Sequence, residues 1–242
     1  MAKVSGLNTR LYVQGYDLSG DANAIGSMGW SQSLYDVTTL DSSAVKRIVG
    51  EASGEVSVDV FFDAASNKSH SVFTSNSGKQ PSTDQVVLVP WGSAVGSKSA
   101  GLVAKQADYS VNSAIGSPIT ATATYSSNAT PTEFGEMLTA HDDTHSSAGS
   151  GTVVDSGAAT TNGASAYLQL LSLDSGSVTV NLQESTSSGG SYANFMTFST
   201  VAAAGAPTAV RQTMEGTVQR YIKVTTTGTF SNAKIAVALC RL

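Results

Sequence analysis

Period-two alternation constrains this chain more than any other feature. The run Glu55-Val56-Ser57-Val58-Asp59-Val60 places three valines on one side of an extended segment and Glu, Ser and Asp on the other. A strand with one face in a core and the other in polar surroundings has this pattern. Ile119-Thr120-Ala121-Thr122-Ala123-Thr124-Tyr125 repeats it with threonines on the polar side, and β-branched residues suit a pleated surface. A one-residue slip would bury carboxylates and expose valines, so the register is well specified. Further strands are predicted over residues 9–14, 85–89 and 102–109. A single short helix is predicted over 64–75, with Val72 and Phe73 turned inward, although its Ser and Asn content makes it a weak former.

Residues 34–50 are less regular. Asp41-Ser42-Ser43 breaks the pattern, and Ala44-Val45-Lys46-Arg47-Ile48-Val49 resumes it as a short apolar run around two cations, which reads as a long hairpin or extended loop. Apolar residues at a loop tip stay in water unless they pack on their own sheet or on a neighbour; a neighbour is the favoured partner here.

Composition then shifts. Residues 141–162, beginning His141-Asp142-Asp143-Thr144-His145, are rich in Gly, Ser, Thr and Ala and bury too little apolar area to be core. They are read as a linker between a first β domain (1–140) and a small β-sandwich (163–242), each with its own core. Strands are predicted in the second part over 166–173, 177–184, 194–200, 209–214, 219–226 and 234–241. Asp174-Ser175-Gly176 is read as a hairpin turn and residues 187–191 as the next loop. The fold class expected is therefore mainly β: antiparallel sheets forming a sandwich or barrel with one short helix, followed by a jelly-roll or immunoglobulin-like sandwich.

About 40% of the 242 residues are hydrophobic and only 13% charged. The surface is thus largely hydroxyl and amide, which costs less to desolvate in an interface than ions do. The net charge is −5, and no cationic run exceeds the pair Lys46-Arg47, so tight phosphate binding is not expected. The negative charge lies in the first part: 14 acidic and 8 basic residues precede residue 148, and 4 acidic and 5 basic follow it. Cys240 is the only cysteine; it forms no intramolecular disulfide and is expected to be a buried, inert thiol. The N-terminus has no apolar targeting core, and no apolar run is long enough to span a membrane. The chain is expected to be made in the cytoplasm and to stay soluble until it assembles.

No catalytic, cofactor-binding or metal-binding residue is expected. His141 and His145 have a spacing that would share a metal ion on a helix, but they sit where the chain turns into linker, and they are read as a solvated loop. No Gly-x-Ser-x-Gly elbow accompanies the histidines. Ser77-Gly78-Lys79 lacks the first glycine of a phosphate loop, since Val72 or Phe73 stands where it belongs. The carboxylate pairs Glu55/Asp59 and Glu133/Glu136 lack the aromatics of a sugar-cleaving site. The chain is not expected to be an enzyme.

The runs Gly54-Glu55-Val56-Ser57-Val58-Asp59-Val60-Phe61-Phe62-Asp63, Val86-Val87-Leu88-Val89-Pro90-Trp91-Gly92 and Ala107-Asp108-Tyr109-Ser110-Val111, followed by Ile119 to Thr124, resemble the major tail tube proteins of long-tailed bacteriophages over roughly residues 5–138. The second part is similar to β-sandwich modules appended to phage structural proteins. The resemblance implies a virion protein whose six copies form a ring with their inner sheets joined in a continuous barrel. It further implies that rings stack into a tube that encloses a tape-measure protein and later conducts DNA, with no membrane partner. On that expectation Glu55, Ser57 and Asp59 face the lumen, where an acidic lining repels phosphates, and Val45, Lys46, Arg47, Ile48 and Val49 make ring-to-ring contact. A capsid decoration protein, a tail-tip protein and a carbohydrate-binding module using Tyr192 for host attachment are the alternatives.

Overall fold

The computed structural model describes residues 6–141 and 143–242, and strands carry nearly all of the regular structure. Among the described residues, seventeen strands are linked by antiparallel pairings into one continuous network. The chain is mainly β, with one short helix. In the first half, Ala22–Asp36, Arg47–Phe61, Thr120–Ser127 and Lys98–Asn112 lie side by side in that order. The alternation read from the sequence is present: Val56, Val58 and Val60 are fully buried, whereas Glu55 is exposed and Ser57 and Asp59 are half-buried. The valines pack with Leu102, Tyr125 and Phe73 in a first apolar core.

The helix is shorter than expected, Ser69–Phe73. Left-handed residues bound it, Asn67 before it and Ser75 and Asn76 after it, and only short polar residues and glycine take that conformation readily. Local polar groups also compete with the helical ladder: Asp63 accepts the Ala65 N–H (2.8 Å), and the Ser69 hydroxyl donates to the Phe61 carbonyl (2.8 Å).

The second half departs from the expected hairpin at residues 174–176. Ala164–Ser185 is one extended strand of 22 residues. It pairs first with Phe230–Arg241, as far as Gly176↔Phe230, and then with Tyr221–Thr227, from Thr179↔Thr227 onward. A single two-stranded ribbon therefore bends over itself and supplies both layers of a sandwich, the bend replacing a reversal. Gly176 and Gly228 stand at the corner with φ of 78° and 112°, and a Cβ at either would overlap a carbonyl oxygen of the facing strand, Thr229 or Ser177. The core between the layers includes Leu168, Leu170, Val180, Leu182, Ile235 and Val237.

The Gly/Ser-rich stretch carries three two-residue strands. Thr144–His145 pairs with Phe230–Arg241, and Gly149–Ser150 and Val154–Asp155 pair with Tyr221–Thr227. Arg220 grips Asp155 through Nε (2.6 Å) and Nη2 (2.7 Å), and this contact foremost holds the Asp155 carboxyl down at about 2.

A third apolar cluster joins the two halves, with Tyr12, Leu88 and Met137 from the first meeting Tyr167, Ala236 and Ala238 from the second. Strand Glu133–Met137 bridges them, pairing with Lys98–Asn112 on one side and Phe230–Arg241 on the other. Beside it, Arg211 donates from Nε to Glu133 Oε2 (2.8 Å) and from Nη2 to Oε1 (2.6 Å), while Tyr167 and Ser165 hydroxyls donate to the same carboxylate (2.5 and 2.8 Å). Burial raises the Glu133 carboxyl, but these hydrogen bonds outweigh it and hold the group below its ordinary 4.5. Buried Gln169 adds two bonds across the seam, accepting from the Gly15 N–H and donating to the Val86 carbonyl. Cys240 lies buried nearby, its thiol pushed up by burial and by the Glu133 charge.

Two outcomes follow from the seam. A chain ending at Ser147 is expected to aggregate, because it exposes the shared cluster and leaves Glu133 without Arg211; a soluble product with a cooperative melt would instead support the independence that the Gly/Ser-rich stretch implies. Arg211→Ala is expected to lower stability by about 3 kcal/mol, toward the low end for a buried pair, by taking the cation from a largely buried carboxylate that keeps only the Tyr167 and Ser165 hydroxyls. The stability contributed by Glu133 is complete above the ordinary carboxyl pKa and is lost as pH falls through the lower folded-state value. Denaturant titrations should show a shallower loss of stability below that pKa in Glu133→Gln than in the parent, and parallel acid limbs would refute the assignment.

Candidate assembly surface

Strand pairing extends the polar face of Glu55, Ser57 and Asp59 sideways. Their partners on Thr120–Ser127 are Ser126, Thr124 and Thr122, and the next strand adds Asp108 and Ser110 opposite Thr124 and Thr122. The Thr122 hydroxyl donates to Asp59 Oδ1 at 2.6 Å. Lys105, opposite Ser126 on the same face, is the cation in this register, and its Nζ is engaged by Asp84 at 2.8 Å and the Ser82 carbonyl at 3.0 Å. Three carboxylates among hydroxyls therefore line one face of this sheet while valines fill the other. Such a face repels polyanions and offers them no counterion release.

The same sheet is open at both sides. Among the described residues Ala22–Asp36 pairs with Arg47–Phe61 alone. At the other side Gln85–Pro90 covers Lys98–Asn112 only as far as Ala104, so the edge from Ala107 to Asn112 has no partner strand among the described residues. Unpaired edges of this length are templates for pairing with another chain.

Residues 45–49 belong to a hairpin arm. Thr120–Ser127 supports Arg47–Phe61 only from Glu55 onward; nearer the tip, two strands stand alone with Leu34 opposite Val49 and Tyr35 opposite Ile48. Adjacent pairs point to opposite faces, and all four side chains are more than half exposed. Both faces of the arm are thus apolar and in water, and a lone two-stranded ribbon is marginal by itself. Sequence reading found the apolar run 45–49 but not its partners Leu34 and Tyr35, whose alternation is interrupted where the register shifts between Gln32 and Leu34.

The remaining sequence candidates are not brought together into a reactive site. Within the run 141–145, Asp142 lies outside the described residues. His145 Nε2 is 3.4 Å from Asp143 Oδ2, and its Nδ1 is 3.2 Å from the Thr226 hydroxyl. Among the described residues no group of three or more His, Cys, Asp or Glu has metal-binding geometry. Glu133 and Glu136 serve structural bonds, to Arg211 and to Ser156 respectively. Tyr192 donates to the Ser188 carbonyl (3.0 Å) and carries the Lys223 ammonium 4.4 Å from its ring centre.

No protein-family model matches the sequence, and no curated protein matches it. In backbone shape the chain is similar to a chain of the native gene transfer agent virion, with 14% identity over 55% of this chain and 98% of that one at a TM-score of 0.41. It is also similar to a chain in the C6-symmetric tail of the empty gene transfer agent particle, with 14% identity, the same coverage and a TM-score of 0.40. SPP1 Dit (gp 19.1), a hub protein of the adsorption apparatus in phages infecting Gram-positive hosts, aligns over 98% of both chains with 11% identity and a TM-score of 0.37. At these values the likenesses assign no role to any residue here.

Burying Val45 and Ile48 in a contact contributes about 1.5–3 kcal/mol each. Val45→Ser with Ile48→Ser should therefore leave the far-ultraviolet circular dichroism unchanged and weaken self-association by on the order of a hundredfold or more, measured by sedimentation velocity. Unchanged association would remove the arm from the assembly surface.

Proposed function

We propose that this chain is a non-enzymatic structural subunit of a phage tail, a tail tube protein whose copies join edge to edge into rings that stack into a conduit for DNA. One observation carries the reading: a single four-stranded sheet has two open edges, an apolar inner face and an acidic, hydroxyl-rich outer face. Joining Ala22–Asp36 of one copy to the Ala107-to-Asn112 edge of the next is a head-to-tail contact. Repeated with rotation, it closes into a ring and removes every free edge. In that ring the Glu55, Ser57 and Asp59 face lines the lumen, and the valine face stays against the subunit's own core. Six copies per ring and an enclosed tape-measure protein are what the tail-tube resemblance implies for this assembly, and the virion is its location. The tube passes DNA without holding it, because the lining is net acidic and Lys105, the cation in register on it, is paired with Asp84.

Negative-stain microscopy of the purified chain is expected to show rings or hollow rods; monodisperse monomers would sink the tube. In rods, Asp59→Cys should resist a bulky thiol reagent that labels the dissociated subunit, while buried Cys240 stays silent in both. Glu55→Lys with Asp59→Lys should give rods that retain DNA at low salt and release it steeply as salt rises. Rods that shed DNA as the parent does, or that label freely at residue 59, would put this face on the outside.

A further inference from the structure

Three of the chain's five arginines are answered within the fold. Arg211 meets Glu133, Arg220 meets Asp155, and Arg241 donates to the carbonyls of Ala158, Val218 and Gln219. Arg47 stands exposed on the arm. Arg10 differs from all four. It is only partly exposed, its Nε is buried without a hydrogen-bond partner, and its side chain forms no ion pair among the described residues. A cation drawn out of water without a partner is costly, so the position favours an incoming anion.

The surroundings are built to hold it. The Arg10 N–H donates to the Pro90 carbonyl at 3.0 Å, and Thr9 bridges to Trp91, which fixes the backbone from which the guanidinium extends. The side chain lines a pocket of about 380 Å³ together with Thr9, Trp91 and residues Ala22 to Ile25 of the edge strand, and no described carboxylate lines it. The acids nearby in sequence are engaged elsewhere. Asp17 Oδ1 accepts from the Ser19 N–H and hydroxyl (3.0 and 2.5 Å), and Asp21 takes the Ser69 N–H (2.9 Å) with Lys68 at 3.8 Å. Consecutive strand residues point to opposite faces, so a pocket touching four in a row lies along the open edge itself.

The other open edge carries the complementary charge. Asp108 is exposed, and its carboxylate makes no hydrogen bond or ion pair among the described residues. It follows a register shift between Gln106 and Asp108, an irregularity of the kind that re-aims a side chain. Across the sheet Ala22 stands level with Val60, Ala121 and Val111, and Ile25 with Val58, Ala123 and Tyr109. Edges joined without stagger therefore set the pocket of one copy beside residues 109–111 of the next, one residue from Asp108.

We propose that the Arg10 pocket is a carboxylate site completed by a second copy of this chain, whose Asp108 enters it where the two edges join. The inference rests on the ring reading and names the ion pair that sets the register of the joint. A guanidinium and a carboxylate meet through two parallel hydrogen bonds, which pins a register that backbone pairing alone leaves free to slip. Glu55 and Asp59 remain on the polar face.

The test mixes full-length chains carrying Ser27→Cys with chains carrying Ser110→Cys and treats them with a short bis-maleimide, Cys240 being buried out of reach. A crosslinked pair joining the two kinds of chain is expected. Its yield should fall by on the order of tenfold when the Ser110→Cys chain also carries Asp108→Arg, and return when the Ser27→Cys chain then carries Arg10→Asp. The conservative changes Asp108→Asn and Arg10→Gln should each lower the yield and lower it no further together. A yield indifferent to Asp108→Arg overturns the ion pair and leaves the ring standing. Loss with Arg10→Asp but not with Asp108→Arg overturns it in favour of another anion in the pocket. Loss that the reversed pair does not restore overturns it as well. Absence of any crosslink between the unaltered edges removes the ring and this inference together.

Discussion

A carboxylate withdrawn from water has to be met by a cation and by hydrogen-bond donors, or it neutralises and loosens what surrounds it. Glu133 is met on every side: two nitrogens of Arg211 and the hydroxyls of Tyr167 and Ser165. The ligands come from strands more than thirty residues downstream, so the bond network specifies where the second half sits on the first. The apolar cluster around Tyr12 and Tyr167 adds area without direction, whereas the two-pronged guanidinium fixes an angle. Everything displayed on the surface inherits that angle, including the relation of the acidic sheet face to the sandwich.

With the halves fixed, the first sheet carries a problem that its own fold does not solve. Its acidic face excludes a covering core, two of its edges lack partners, and its arm is apolar on both sides. The C-terminal sandwich has the opposite character. Its long ribbon bends at Gly176 and Gly228 so that each layer covers the other, and its apolar groups are spent internally. The division of labour is physical: one half satisfies itself, and the other leaves strand edges and apolar side chains open.

How much of this is legible in the sequence depends on the range of the interaction. Glu55 to Val60 announces its two faces because alternation is local, and the polar and buried sides lie where the pattern puts them. Asp174-Ser175-Gly176 misleads for an equally local reason. A glycine with positive φ serves a two-residue reversal or a corner between sheets, and only the strand opposite decides which; here Phe230 stands across from Gly176. The helix over 64–75 shrinks because Asn67, Ser75 and Asn76 turn left-handed. The arm is half legible, since residues 45–49 show an apolar run while Leu34 and Tyr35 show their role only through pairing. The seam is not legible: Glu133 stands out in the sequence only as one of a carboxylate pair with Glu136, and Tyr167 and Arg211 not at all, until a fold brings them together.

Strand length is where local pattern and assembly meet. Ala22–Asp36, Arg47–Phe61 and Lys98–Asn112 each run 15 residues, well beyond the 5–6 typical of globular sheets. The central pairing that buries Val56, Val58 and Val60 needs only Glu55 to Phe61. The surplus of the first two strands forms the arm, while the free edge from Ala107 to Asn112 lies within the central pairing, opposite Thr120 to Thr124. In a monomer such surplus exposes backbone and apolar side chains to water and invites aggregation. Charge, one of the devices that blunt an edge, is sparse here: Ala22–Asp36 bears a single charged residue, Asp36, at its end, though three register shifts bulge its pairing. Its register shifts twist the strand without ending it. A long and nearly uncharged edge of this kind is a template for pairing with another strand.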